Sequence, residues 1–126
     1  MNVLIVDDSL LIRKQLKLFF ETELDYTVVA MGIDGNDAVS LYKEYKPDIM
    51  TLDLTMPNKD GCEALKEIIN FDPDARVVIC SAIKDAAKIT ETLIGGARSH
   101  IKKPLKLQDP EFIQLVKDDI EEALED

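Results

Sequence analysis

Five short β-branched runs alternate with segments of helical period along this chain, and that alternation admits very few folds. The runs are Val3–Val6, Thr27–Met31, Ile49–Leu52, Val77–Cys80 and Ser99–Ile101. Between them, apolar residues recur with the spacing of one helix face. Ile12, Leu16, Phe19 and Phe20 mark a first helix, and Ala38, Leu41, Tyr42 and Tyr45 a second. Leu65, Ile68 and Ile69 mark a third; Ala86, Ile89 and Leu93 mark a fourth, stopped by Gly95-Gly96. Ile113, Val116, Ile120, Ala123 and Leu124 mark the last, with Asp109 as its cap and Pro110 at its first position. Runs this apolar are strands buried on both faces. Strict alternation then predicts an α/β fold: a parallel sheet covered on both sides by helices, with right-handed crossovers.

A chain of 126 residues suits one domain, expected over residues 1–126. Its net charge of −10, from 15 basic and 25 acidic residues, opposes direct binding to nucleic-acid backbones. The charge suits solubility, and encounter with basic protein surfaces. No apolar run approaches the ~20 residues of a membrane span, and the start lacks a basic leader. Cys62 and Cys80 show no metal-binding spacing and read as reduced helix and strand thiols. These features predict a cytoplasmic protein. The chain closes on its fifth helix, with acids to Asp126, so no output domain is expected within it.

Polar groups close the apolar runs in a pattern. Asp7-Asp8 follow the first, Asp53 the third, Ser81 the fourth, and Lys103-Pro104 the last. In an open parallel sheet, ligands bind outside the carboxyl ends of the strands, where strand order reverses. Three carboxylates sharing one recess repel unless a cation joins them. Hard oxygen donors and an incomplete protein cage favour Mg2+. A carboxylate is also a competent phosphoryl acceptor, and phosphoryl transfer needs mostly positioning and charge neutralisation. Lys103 supplies part of that charge, and Ser81 a hydrogen-bond donor. Asp53 is therefore expected to become phosphorylated. Each residue also has an ordinary use. Asp8 or Ser9 can cap the first helix, Asp53 can sit in a turn, Ser81 can cap the fourth helix or simply end a strand, and Lys102-Lys103 can be a solvated pair. Their joint placement at one edge is what favours a site.

These residues resemble the receiver domain of two-component response regulators, especially the single-domain chemotaxis kind. The resemblance covers essentially the whole chain. It rests on Val6-Asp7-Asp8-Ser9, Gly35 with Ala38, Asp53 with Met56-Pro57, Asp60-Gly61, Ser81-Ala82, Gly96-Ala97 and Ile101-Lys102-Lys103-Pro104. It implies a flavodoxin-like, doubly wound five-stranded sheet of order 2-1-3-4-5 with five helices. It implies Asp53 as phosphoacceptor, and Asp8, Asp53 and the Thr55 backbone carbonyl as Mg2+ ligands. Asp7 would hold the metal through water, Lys103 would contact the phosphoryl group, and Ser81 would be the switch hydroxyl. The Lys103-Pro104 bond is similar to one that is commonly cis in the family. Three residues before the lysine the family usually carries Tyr or Phe; here it is His100. His100 reads either as an ordinary strand histidine or as a recognition residue on the face of the fourth helix, fifth strand and fifth helix. Phosphate lifetime is tuned in the family two residues after the acceptor and two after the switch hydroxyl. Thr55 and Ile83 stand there, and neither readily orients an attacking water.

The resemblance implies a phosphohistidine of a sensor histidine kinase as donor. Output would then be by protein contact, with a flagellar motor switch component or a phosphatase as partner. The expected protein is a monomer that catalyses its own phosphorylation and dephosphorylation rather than a turnover enzyme. A phosphorelay shuttle, or an isolated receiver of a larger transcription regulator, are the alternatives. An aspartyl-phosphate phosphatase would need an acid where Thr55 stands. A flavin carrier would need a phosphate-cradling loop where Asp7-Asp8-Ser9 stands.

Overall fold

The structure is a computed structural model that describes residues 1–125, without the side chain of Ile83. Strands β1 (Asn2–Val6), β2 (Thr27–Gly32), β3 (Ile49–Leu52), β4 (Val77–Ala82) and β5 (Ser99–Lys103) alternate with helices α1 (Leu10–Glu23), α2 (Gly35–Tyr45), α3 (Gly61–Phe71), α4 (Ala86–Ile94) and α5 (Pro110–Leu124). A 3-10 turn, Ile83–Asp85, precedes α4. The sheet is parallel throughout with order β2-β1-β3-β4-β5, the flavodoxin-like arrangement expected. Strand order reverses between β1 and β3, so their carboxyl ends flank the crevice.

Alternate strand residues feed two cores, as the two-residue period of a strand requires. Leu4, Val6, Met50 and Leu52 pack with Ala38, Leu65, Ile68 and Ile89 beneath α2, α3 and α4. Val3, Ile5, Ile49 and Val78 pack with Leu16, Phe19, Phe20, Val116 and Ile120 beneath α1 and α5. Four helices begin on a side chain that accepts a backbone N–H: Ser9 from Ile12, Asp34 from Asp37, Asp60 from Glu63 and Asp109 from Glu111. Each such cap contributes about 1 kcal/mol. Gly96 follows α4 at φ 119°, a region that favours glycine.

Two expectations need correction. β4 and β5 each run two residues further than the apolar pattern indicated, because Ser81 pairs with Lys102 and Ala82 with Lys103 across the ladder. Ser81 and Lys103 are thus strand residues. The apolar stripe of α4 is also turned. Ile89 and Thr92 are buried, while Ala86, Leu93 and Ile94 face outward. Thr92 can point inward because its Oγ1 donates to the Ile89 carbonyl at 2.7 Å, leaving no unpaired hydroxyl. Tyr45 of α2 is likewise exposed. The readings placed on Asp126 and on the Ile83 side chain lie outside the described residues.

Candidate functional site

The backbone ladder carries two carboxylates to the crevice. Asp7 N–H donates to the Gly32 carbonyl at 3.1 Å, and Asp53 N–H to the Val6 carbonyl at 3.0 Å. Each therefore extends its strand by one step, and the two side chains arrive side by side, both buried. Asp8 stands exposed at the rim, and oxygens of Asp7, Asp8 and Asp53 lie within 4.8 Å of one another. From β5, Lys103 reaches over the end of β4. Its Nζ is 2.7 Å from Asp7 Oδ2 and 3.4 Å from Asp53 Oδ1. Asp7 is fixed further by the Ser9 N–H on its Oδ1 at 2.9 Å, and Arg13 Nη1 donates to the Asp7 carbonyl at 2.8 Å.

The loop after β3 is clamped from two sides. Gly61 N–H donates to the Leu54 carbonyl at 2.9 Å, and Gly35 N–H to the Lys59 carbonyl at 2.8 Å. Asn58 Nδ2, on a residue with φ 66°, donates to Asp34 Oδ2 at 2.7 Å. The Asp37 N–H, and then Asn58, hold the Asp34 carboxyl below its usual range. Gly61 leaves no room for a side chain: a Cβ there would sit 2.2 Å from the Asp53 carbonyl oxygen and 2.8 Å from Leu54 Cα. Gly61→Ala must push α3 off the strand end, with an expected loss of about 2–3 kcal/mol in urea unfolding.

Burial pushes the Asp53 carboxyl up to about 6; Asp7 adds to this, and Lys103 and the Thr55 N–H offset it in part. For Lys103, burial alone would lower the ammonium's pKa. The contact with Asp7 and the field of Asp53 and Asp7 outweigh that and hold it above its ordinary value. Three carboxylates thus gather beside one ammonium that contacts two of them, and the surplus negative charge fits a hard divalent cation. A raised carboxyl pKa means the native state holds that proton more tightly than the unfolded chain. Ionised Asp53 therefore costs stability above pH about 6, and the cost fades as pH falls toward the unfolded value. Asp53→Asn should accordingly raise stability at pH 7.5 by about 1–2 kcal/mol, after allowance for solvent screening. The gain should shrink as pH falls from 6 to 4, followed by thermal unfolding across that range.

Residues 3–117 match the family described as the response regulator receiver domain. The chain belongs to that family. It is 43% identical over 105 residues to the chemotaxis protein CheY of Thermotoga maritima, covering 83% of this chain and 87% of the relative. A chain of the CheX–CheY–BeF3–Mg2+ complex of Borrelia burgdorferi superposes with a TM-score of 0.88 at 37% identity, over 100% of this chain and 90% of that one. The response regulator domain of Thermotoga maritima CheB superposes with a TM-score of 0.84 at 36% identity, over 100% of this chain and 98% of that one.

This receiver brings Asp7, Asp8, Asp53 and Lys103 together as the sequence reading expected, and Lys103 is no solvated pair with Lys102. Thr55 is exposed on the loop two residues beyond Asp53. The Lys103-Pro104 bond is cis. Ser81, buried at the end of β4, caps no helix; its hydroxyl donates to Asp85 Oδ2 at 2.8 Å. His100 is half-buried, with Nε2 3.2 Å from the Ser81 carbonyl oxygen. Burial pulls its pKa down, the Ser81 carbonyl acting against that, so the neutral ring donates through Nε2. The ring borders a groove of about 460 Å³ whose walls include Lys102, Lys106, Phe112, Leu115 and Asp119. Arg13, Asp85 and the Asp34–Asn58 pair escaped the sequence reading. Arg13 sits one helical turn beyond the Ser9 cap, which is a signal of a kind. The Asp34–Asn58 bond joins residues 24 apart and has none.

Among the described residues, no helix is long and apolar enough to cross a membrane. The thiols are free: Cys80 is buried in β4, where burial pushes it up to about 12, and Cys62 is part-exposed on α3.

Proposed function

We propose that this receiver is a Mg2+-dependent phosphoacceptor whose Asp53 takes a phosphoryl group from a phosphohistidine and thereby changes a protein-binding surface. The observation that carries the reading is the meeting of Asp7, Asp8, Asp53 and Lys103 at the point where strand order reverses. Asp53 Oδ is the nucleophile. The P–N bond to the donor histidine breaks as the P–O bond forms, and the imidazole leaves with its electron pair. With its pKa near 6, Asp53 is mostly ionised at neutral pH and ready to attack. Asp8, Asp53 and the Thr55 carbonyl would ligate Mg2+ directly, with Asp7 holding it through water. When bound, the cation neutralises charge on the transferring phosphoryl group. Lys103 would add a second positive charge, and Ser81 would donate to a phosphoryl oxygen once it turns from Asp85. The reaction is a self-modification, not substrate turnover.

The relatives named chemotaxis protein CheY favour a chemotaxis role, with a sensor histidine kinase as donor. A flagellar motor switch component, or a phosphatase, would read the phosphorylated form. The Borrelia burgdorferi neighbour, a complex of CheX and CheY with BeF3 and Mg2+, supports a site that takes the metal together with a phosphoryl mimic. The test is acetyl phosphate with Mg2+, read by intact mass and peptide mapping. One phosphoryl group on Asp53 is expected, and none without Mg2+. A phosphate on any other residue sinks the assignment.

Phosphate should persist. Thr55 carries no carboxylate or amide to orient water against the acyl phosphate. The decay of the purified phosphoprotein is expected over minutes, and loss within seconds would contradict this.

A further inference from the structure

The N-terminus of α4 is built unlike the others. Ser9, Asp34, Asp60 and Asp109 begin their helices from extended backbone, and each accepts a helix N–H. Asp85 holds the equivalent position before α4, at φ −92° and ψ 22°, and makes no cap bond. Its carboxylate is engaged instead: Oδ2 accepts the hydroxyl proton of Ser81 at 2.8 Å. An Asp is among the best capping residues, so this one has been drawn off a bond it is suited to make. The partner that draws it is the hydroxyl assigned above to the phosphoryl group.

A serine has one proton to donate. Ser81 O–H can point to Asp85 or to a phosphoryl oxygen on Asp53, not to both. When it turns inward, the Asp85 carboxylate is released one residue before α4, and a turn of its backbone from ψ 22° toward the extended values of the other four caps would bring it to the N–H groups of Ala87 and Lys88. We propose that Asp85 is a two-position latch: it holds the Ser81 hydroxyl in the unphosphorylated receiver, and on release it caps α4. The inference rests on the phosphoacceptor reading and deepens it, by naming what opposes the switch. It also gives Asp53 a route to the helix behind the exposed Leu93 and Ile94. Occupancy of the site is exchanged for order in the first turn of α4 through two side chains and the backbone turn at Asp85.

The substitutions separate the two positions. Asp85→Asn keeps a good cap but gives up the charge-assisted bond to Ser81, so it favours the released state. Asp85→Ala loses both positions and should change the balance less. Mg2+ with beryllium fluoride is the probe, titrated by thermal shift. Asp85→Asn should tighten beryllium fluoride binding by about fivefold, and Asp85→Ala by less. In a Ser81→Ala background the Asp85→Asn effect should vanish. Tightening that persists there is a through-space charge effect and overturns the latch, as does an Asp85→Asn variant that binds no tighter than wild type. A second readout needs no phosphoryl mimic. Ser81→Ala frees Asp85, so hydrogen exchange at Ala87 and Lys88 should slow, but not when Asp85 is also alanine. Unchanged exchange overturns the latch. If wild type fails to bind beryllium fluoride, the phosphoacceptor reading falls, and the exchange result alone decides whether Asp85 has its two positions.

Discussion

Asp53→Ala is expected to take up no phosphoryl group from acetyl phosphate and Mg2+, under conditions where wild type takes up one. The prediction is all-or-none because the other buried carboxylate of the cluster, Asp7, is held more tightly by its partners. Asp7 Oδ2 lies against Lys103 Nζ at 2.7 Å and its Oδ1 accepts the Ser9 N–H at 2.9 Å, so both of its oxygens are engaged by close donors. Asp8 is exposed at the rim. Asp53 and Asp7 share burial, a contact with Lys103 and a place beside two acids, but the Asp53 contact is the looser one, 3.4 Å against 2.7 Å, and leaves its carboxylate the readier to attack. Removing the nucleophile removes the bond that would form, and no loss of positioning alone could be so complete. Intact mass is the measurement. Undiminished labelling of the Asp53→Ala variant would falsify the assignment. Partial labelling with a new site at Asp8 would show that the metal cluster, rather than one carboxylate, selects the phosphoryl group.

Lys103→Met carries an expected effect on stability as large as that of Gly61→Ala. The methionine keeps most of the volume and removes the single ammonium between Asp7 and Asp53. Breaking a buried pair leaves an uncompensated charge, at about 3–5 kcal/mol for a fully enclosed site. This crevice is open on the Asp8 side and the Lys103 side chain keeps 19% of its exposure, so about 2–3 kcal/mol is the expected loss. Urea unfolding should show a lower midpoint with an unchanged slope. Millimolar Mg2+ should recover part of the loss, because a cation bound to the native state can take over some of the charge compensation. A variant as stable as wild type without Mg2+ would mean that the acids are already relieved by protonation or solvent. The same variant should also label more slowly than wild type, since Lys103 is one of the two positive charges assigned to the transferring group.

Much of this was legible in the chain because parallel strands buried on both faces leave continuous apolar runs. Four acids and bases closing such runs could be placed at one edge before any coordinates existed. What escaped has a physical reason in each case. Ser81 and Lys103 looked like residues beyond their strands, since backbone pairing at Ser81–Lys102 leaves no trace in side-chain polarity. The stripe of α4 was misread because Thr92 satisfies its own hydroxyl on the helix and so behaves as an apolar residue. The Ser81–Asp85 bond depends on a 3-10 turn whose geometry four letters of sequence do not specify. His100 was correctly singled out, yet its bond to the Ser81 carbonyl follows from strand pairing between β4 and β5 rather than from any motif.

The pairing of Val6 with Leu52 places Asp7 and Asp53 one step further along the same two strands. In terms of what lengths of chain can change, this divides the molecule in two. Deleting or adding one residue in β1 or β3 would turn every later side chain of that strand to the opposite face, and the carboxylates would part. The opposite edge of the sheet carries no such constraint. Pro73 and Asp74 are exposed between α3 and β4, where an inserted peptide costs loop-closure entropy and the turn bonds from Asp74 and Ala75 to Asp72, all far from the carboxyl ends of the strands. A fusion partner or reporter placed there should leave phosphoryl uptake at Asp53 as it was. A single added residue between Val3 and Val6 should abolish it.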